Sequence, residues 1–425
     1  MTIQEIHSVF LKSKGVCTDT RTLQAGQLFF ALKGGNFNGN KYVKQALEAG
    51  ASFAIVDEEE FLVKGESVLV KNVLETLQAL AQYHRQVLKT PIIAITGSNG
   101  KTTTKELMRS VLLQKYVCFA TKGNLNNHIG VPLSLLSLTP EHELAIIEMG
   151  ANHQGEIASY CKWVLPEYGL ITNIGKAHLE GFGGLEGVKK GKTELFQNVA
   201  SRNGLAFYNG DDTILTEQSK LLDRRLAYGE FNTPKYKYRL VENNEFIALE
   251  VDGIHIQSRL IGKYNGANMA AALAVGQYFK VPLAKIKIAL EAYTPQNNRS
   301  QIIKYGTHEV ILDAYNANPT SMMAALEYFE NNDAKNKGVF LGDMLEVGES
   351  SEAEHQLIVD YLAKGSFGFY VLVGERFYAC KNEDGLFFKT SEEAKLWLRS
   401  QELNGFSFLL KGSRSMKMEA IIANK

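Results

Sequence analysis

Seven short apolar runs constrain this chain more than any other feature. "IIAITG", "LAIIEMG" and "YGLITNIG" each stop at a polar loop that leads into a helix-like stretch. After about residue 297 the rhythm restarts with "EVILDAYN", "KGVFLGDM", "FYVLVGE" and "FSFLLKGS". Runs that are apolar throughout, rather than at alternate positions, suit strands covered on both faces. That means parallel sheets with helices on either side. Two such series predict two doubly wound sheets, where ligands sit beyond the carboxyl ends of the strands. The polar loops of this chain all fall at such ends.

A smaller unit precedes them. "GQLFFALKG" reads as a strand entering a glycine turn, "YVKQALEAGA" as a helix closed by Gly50, and "SFAIVD" as the next strand. "VLETLQALAQYHRQVLK" then carries apolar residues at helical spacing and runs into Pro91. The expected fold class is α/β in three domains. These are a small α/β domain over 1–84, a central parallel-sheet domain of the P-loop type over 85–296, and a Rossmann-like domain over 297–425.

Charge excludes some partners. Lys plus Arg and Asp plus Glu number 46 each. A neutral balance argues against binding to nucleic acid or to an acidic membrane, and leaves room for a local basic pocket. Cys17, Cys118, Cys161 and Cys380 are far apart and form no CxxC pair, so reduced thiols are expected. "MTIQEIHSVFLKSKG" lacks the apolar core of a signal peptide. No apolar run approaches the roughly 18 residues of a membrane span. The expectation is a soluble, cytoplasmic protein.

The loops carry the chemistry. Gly97, Ser98, Asn99, Gly100, Lys101, Thr102 and Thr103 lie between a strand and a helix. Glycines let backbone N–H groups curl around phosphate, and the helix start adds partial positive charge. Lys101 can reach terminal phosphates, and the Thr102 hydroxyl can ligate magnesium. The usual nucleotide loop holds four residues between its glycines, and this one holds two. Spacing alone leaves open a glycine turn that merely caps a helix.

Other loops are ambiguous alone. Asn124, Asn126 and Asn127 cluster before Gly130, as turn formers or as amides that orient a substrate. Glu148 ends a strand at the edge of the phosphate loop, where a metal on a nucleotide needs oxygen ligands. His178 follows the next strand, and a lone histidine serves structure as readily as it binds a ligand. Lys192, on a helix, reads as a surface lysine. Asn265 and Asn268 share one helical face, and a helix cap would explain one but not both. Arg299 is placed to reach a phosphate across a cleft. Asp313 and Asn316 sit at a strand end. Lys411, Ser413 and Arg414, at the last strand end, suggest a compact anion pocket.

In order along nearly the whole chain, these loops resemble the Mur ligase family, ATP-dependent amino-acid ligases of bacterial cell-wall precursor synthesis. The family's own phosphate loop is a short T-G-x-N-G-K-T, and this chain reads T-G-S-N-G-K-T. "LNNHIGVPLSLL", "AYNANPTSM", "LGDMLEVGE" and "LLKGSRSMKME" look like the branch that adds D-alanyl-D-alanine to UDP-N-acetylmuramoyl-tripeptide. "CTDTRTLQAGQLFFALKGGNFNG" is similar to the UDP-binding domain shared with the ligase that adds the third residue. That second ligase usually carries a D-N-P-R-type signature, which is absent from this sequence.

The resemblance implies roles. Lys101 and Thr102, with the rest of the loop, would hold ATP. Thr102, Glu148, His178 and Lys192 would hold magnesium, the last as a carbamylated lysine, which reverses its reading as a surface residue. Asn265, Asn268, Arg299 and Asp313 would serve the nucleotide. Thr18, Asp19, Thr20 and Arg21 would contact UDP. Asn124, Asn126, Asn127, Asn316, Lys411, Ser413 and Arg414 would serve the tripeptide substrate and the incoming dipeptide. A monomer is the family expectation. The rivals are the third-residue ligase, a folate polyglutamate ligase, and a nucleotide-binding switch without ligase activity.

Overall fold

The structure is a computed structural model that describes residues 1–423 except 233, 243–245 and 297. The expected start of the third domain, residue 297, lies outside the described residues.

The first domain is a four-stranded parallel sheet of β1 (Val16–Cys17), β2 (Leu28–Phe30), β3 (Phe53–Val56) and β4 (Ser67–Leu69), in the order β1-β2-β3-β4. Helix Val73–Leu88 follows. The Asn72 side chain caps its start by accepting from the Glu75 N–H at 3.0 Å. Lys89, in the left-handed conformation, closes its end. Leu77, Leu80 and Ala81 on this helix are fully buried in a core continuous with the central sheet. The expected boundary at 84/85 therefore cuts through a helix that packs on both units.

The central sheet comprises β5 (Ile92–Thr96), β6 (Cys118–Ala120), β7 (Leu144–Glu148), β8 (Tyr168–Ile171), β9 (Leu205–Asn209), β10 (Arg225–Gly229) and β11 (Tyr236–Lys237). Every pairing is parallel, in the order β11-β10-β9-β8-β5-β7-β6. All side chains of β5 and β7 are buried, as unbroken apolar runs require. A piece that the apolar runs did not announce follows. The strands β12 (Arg239–Glu242), β13 (Ile247–Val251) and β14 (Ile254–Gln257) form an antiparallel sheet. Asp252 and Gly253, at φ 50° and 76°, make the turn between the last two.

The third domain contains β15 (Gln301–Tyr305), β16 (His308–Asp313), β17 (Lys337–Gly342), β18 (Phe369–Val373), β19 (Leu386–Phe388) and β20 (Ser407–Lys411). Their order is β15-β16-β20-β17-β18-β19, parallel except for the β15–β16 hairpin. The four cysteines are buried free thiols. Among the described residues, no helix is long and apolar enough to cross a membrane.

Candidate active site

The carboxyl ends of β5, β7 and β8 open into a cleft of about 550 Å³ that the third domain covers. Its floor is the loop 97–103. Gly97 and Gly100 have φ 143° and 78°, and neither has room for a side chain. A Cβ on Gly97 would lie 2.0 Å from Thr172 Oγ1, and one on Gly100 would lie 2.4 Å from Asn268 Oδ1.

The segment after β8 clamps the loop. Ser98 N–H donates to Asn173 O at 3.0 Å, Asn99 N–H to Asn173 Oδ1 at 3.0 Å, and Thr172 Oγ1 to Asn99 O at 2.6 Å. Helix Lys101–Leu112 starts at Gly100 with no side-chain cap. Its first-turn N–H groups have no intrahelical partner, and its dipole favours an anion there.

Lys101 Nζ rests on its own loop, donating to Gly97 O at 2.7 Å and Ser98 O at 3.0 Å. Burial holds its pKa down to about 8, against the pull of Glu148. Asn265 and Asn268 brace the loop from behind. Thr104 Oγ1 donates to Asn268 Oδ1 at 3.0 Å, Asn268 Nδ2 to Asn265 Oδ1 at 2.9 Å, and Asn265 Nδ2 to Ile261 O at 2.8 Å. Neither caps a helix.

Glu148 is 1% exposed. Its Oε1 accepts from Thr102 Oγ1 at 3.1 Å and Asn126 Nδ2 at 2.8 Å. Its Oε2 accepts no hydrogen bond and lies 3.4 Å from Lys105 Nζ. Lys105, which the motif reading passed over, is fully buried and donates to Thr121 O at 2.6 Å. A buried carboxylate oxygen without a hydrogen bond, next to a hydroxyl, fits a hard divalent cation. Among the described residues no three His, Cys, Asp or Glu cluster into a metal cage. One carboxylate and one hydroxyl would leave most of a magnesium ion's coordination to phosphate oxygens and water.

Three comparisons bear on this arrangement. Residues 12–89 match the model for the Mur ligase family catalytic domain, 95–276 the Mur ligase middle domain, and 298–386 the Mur ligase glutamate ligase domain. A Bacillus subtilis protein named UDP-N-acetylmuramoyl-tripeptide–D-alanyl-D-alanine ligase is 33% identical, over 96% of this chain and 92% of its own. An Escherichia coli protein of the same name is 33% identical, over 98% and 95%. The chain belongs to the Mur ligase family. The crystal structure of MurF from Acinetobacter baumannii superposes with a TM-score of 0.88 at 31% identity, covering 99% of this chain and 97% of that one.

The remaining residues that the Mur ligase resemblance picked out fall into four groups. The first faces the cleft. His178, at φ 52°, lines it. Its Nδ1 lies 2.5 Å from Glu346 Oε2 of the third domain, although the ring N–H is not aimed squarely enough for a hydrogen bond. That contact holds the Glu346 carboxyl below the ordinary carboxylate range. Arg299 stacks on the Tyr315 ring, its guanidinium carbon 3.6 Å from the centroid. Asp313 Oδ1 accepts from Ser300 N–H at 3.1 Å, and Asp313 Oδ2 pairs with Lys411. Asn316 also lines the cleft.

Lys192 stands apart, beneath the cleft. It is 0% exposed and overturns the surface reading. Its Nζ donates to Ala151 O at 3.1 Å and sits 4.9 Å from the Phe182 ring centroid. Burial, reinforced by the charge of Lys101, pushes its pKa well down.

The third group does not gather as expected. Lys411, Ser413 and Arg414 form no joint anion pocket. Lys411 lines the cleft but is paired with Asp313, Ser413 is buried with its Oγ accepting from Leu345 N–H at 2.9 Å, and Arg414 turns outward to Glu419 at 2.6 Å. The cause is compensation: each polar group finds a nearer partner than a ligand. Asn127 lines the cleft while its Oδ1 accepts from the N–H groups of Ile129 and Gly130, and Asn124 is exposed outside the cleft.

Thr18, Asp19, Thr20 and Arg21 line a separate cleft of about 520 Å³ with Lys33, Phe37 and Tyr42. There Arg21 grips Asp19 through two nitrogens, Nε at 2.9 Å and Nη2 at 2.6 Å, and holds its carboxyl at about 2. The Phe37 and Tyr42 rings stack 5.3 Å apart.

Proposed function

We propose that this protein is an ATP-dependent ligase that joins D-alanyl-D-alanine to UDP-N-acetylmuramoyl-tripeptide through an acyl phosphate. The product would be the UDP-N-acetylmuramoyl-pentapeptide of peptidoglycan synthesis. One observation carries the reading: a phosphate loop and the buried Glu148 carboxylate, whose Oε2 accepts no hydrogen bond, face a second domain across a cleft. The names of the relatives supply the substrates.

An amide does not form from a carboxylate and an amine unless the departing oxygen is first made a good leaving group. The tripeptide carboxylate attacks the γ-phosphorus of ATP, the bond to the β–γ bridging oxygen breaks, and ADP leaves. The dipeptide amine then attacks the acyl carbon, phosphate departs, and a proton is released. Both steps gather negative charge on oxygen, so fixed cations and oriented donors do most of the catalysis.

Lys101, lifting from its loop carbonyls, and the first-turn N–H groups would hold the phosphates. Thr102 and Glu148 would hold magnesium, with His178 at a second ion. Magnesium supplies neutralising charge at the phosphate oxygens. Burial lowers the Lys192 pKa and so favours the amine form that adds CO₂, and a carbamate there would be an anion. The first-domain cleft would take the UDP end, with Phe37 and Tyr42 offering stacked rings. The covering third domain would exclude the water that hydrolyses an acyl phosphate.

Phosphate release with UDP-tripeptide, crossed against D-alanyl-D-alanine and single amino acids, tests the reading. Release should depend on the dipeptide. Release driven by a single amino acid on the UDP-dipeptide would replace this reading with the third-residue ligase. Lys192→Ala should be nearly inactive, and unchanged turnover would return it to a packing role.

A further inference from the structure

"LGDMLEVGE" contributes no group to the phosphate site, yet it is one of the most firmly held loops in the third domain. The Asp343 carboxylate accepts the N–H groups of Arg376 and Phe377 at 3.0 and 2.9 Å. Met344 N–H donates to His355 Nε2 at 3.0 Å, and Arg376 Nη1 to Met344 O at 3.1 Å. Leu345 N–H is tied to Ser413. Held this way, the loop presents Glu346 to His178 across the domain boundary.

The contact has further parts. Glu180 N–H donates to Glu346 O at 3.3 Å, and a Cβ on Gly348 would lie 3.1 Å from the Glu180 Cα, so the two backbones nearly touch. Both His178 and Glu346 sit in the left-handed region, at φ 52° and 61°. Neither is a glycine, and such conformations persist only where surroundings over-determine them. Two more links run beside the contact. Lys176 pairs with Glu354 and its N–H donates to Thr320 Oγ1 at 3.1 Å. Asn318 Nδ2 donates to Asn99 Oδ1 of the phosphate loop at 2.7 Å.

The geometry points to Glu346 as a positioning residue. Docking of the third domain brings its carboxylate within 2.5 Å of His178 Nδ1, a charged contact that restricts how the ring can turn in the cleft. A cation held by His178 would therefore have its ligand oriented only in the docked arrangement. Carboxylates that orient a ligating histidine typically matter 10–100-fold for metal affinity or activity. Here the orienting group comes from the domain that must also bring the second substrate. ATP activation would then be coupled to closure, which limits wasteful hydrolysis. This inference rests on the functional reading above.

The test uses the full chain with Glu346→Ala, Glu346→Gln, His178→Ala and the double variant. Glu346→Ala should lower kcat about 10–100-fold and raise the magnesium concentration for half-maximal rate about tenfold. The KM values for ATP and dipeptide should stay within about twofold, as expected for a group outside the cleft lining. The double variant should be no slower than His178→Ala alone, since the two act as a unit. A second cycle needs no turnover. In metal-free protein, the drop in thermal midpoint for the double variant should be smaller than the sum of the single drops. Additive losses in either cycle, or an unchanged kcat and magnesium dependence for Glu346→Ala, would overturn the proposal. If the alanine variant does not fold, the glutamine variant decides by the same criteria. If the wild type shows no dipeptide-dependent phosphate release, the functional reading fails, and the thermal cycle still tests the pair.

Discussion

Two loops in this molecule look alike in sequence: "TGSNGKT" after β5 and "LLKGSR" at the end of β20. Each follows a buried parallel strand, and each combines glycine, serine and a basic residue. They differ in what holds the cation. Lys101 rests on two backbone carbonyls, neutral groups that release it at little cost when phosphate arrives. Lys411 is 2% exposed and paired with the Asp313 carboxylate, so its charge is already spent inside the protein. A basic residue at a strand end is an anion site only where no closer carboxylate claims it. The same rule explains Arg414, which pairs with Glu419.

Breaking the comparison starts with its strongest member. Lys101→Ala should cut dipeptide-dependent ADP release by about 10²–10³-fold with the thermal midpoint nearly unchanged. Near-normal turnover would remove the phosphate assignment. Lys411→Met should act first on stability, costing roughly 3 kcal/mol because Asp313 is left facing a partner-less, mostly buried position. Denaturant unfolding measures this. A stable variant with only a raised dipeptide KM would return Lys411 to substrate binding.

The pH dependence of kcat/KM for ATP sharpens the contrast further. A lysine held at about 8 is charged below that pH and neutral above it. Since kcat/KM reports the free enzyme, it should be flat up to about pH 8 and then fall toward tenfold per unit. A flat profile up to pH 9.5 would show that the Lys101 charge does not govern ATP capture. The smallest effect is expected at Arg414, which is exposed and in a pair of the kind worth about 0–1 kcal/mol. Arg414→Ala should raise the dipeptide KM by no more than about threefold, and a larger change confined to the UDP-substrate KM would place a different ligand there.

Much of the fold was legible because period and punctuation are local. Strands β5, β7, β8, β16, β17, β18 and β20 sit on the apolar runs that announced them. The antiparallel insert β12–β14 was not read, although the Asp252–Gly253 turn between alternating segments signalled a hairpin. Of the residues that line the cleft, Lys101, Thr102, Glu148 and His178 were legible as strand-end positions. Lys105, Asn318 and Glu346 were not, because each acts on a partner far along the chain: Glu148, Asn99 and His178 respectively.

Local pattern in the chain was enough to read the two parallel sheets, the loop that can cradle phosphate, and a carboxylate at a neighbouring strand end, because each follows from spacing within a few residues. Which charges stay available was set by the folded arrangement. It buried Lys192 against Phe182, neutralised Lys411 with Asp313, and brought Glu346 across to His178. Solvation and charge pairing depend on which groups become neighbours in space, and no local pattern encodes that.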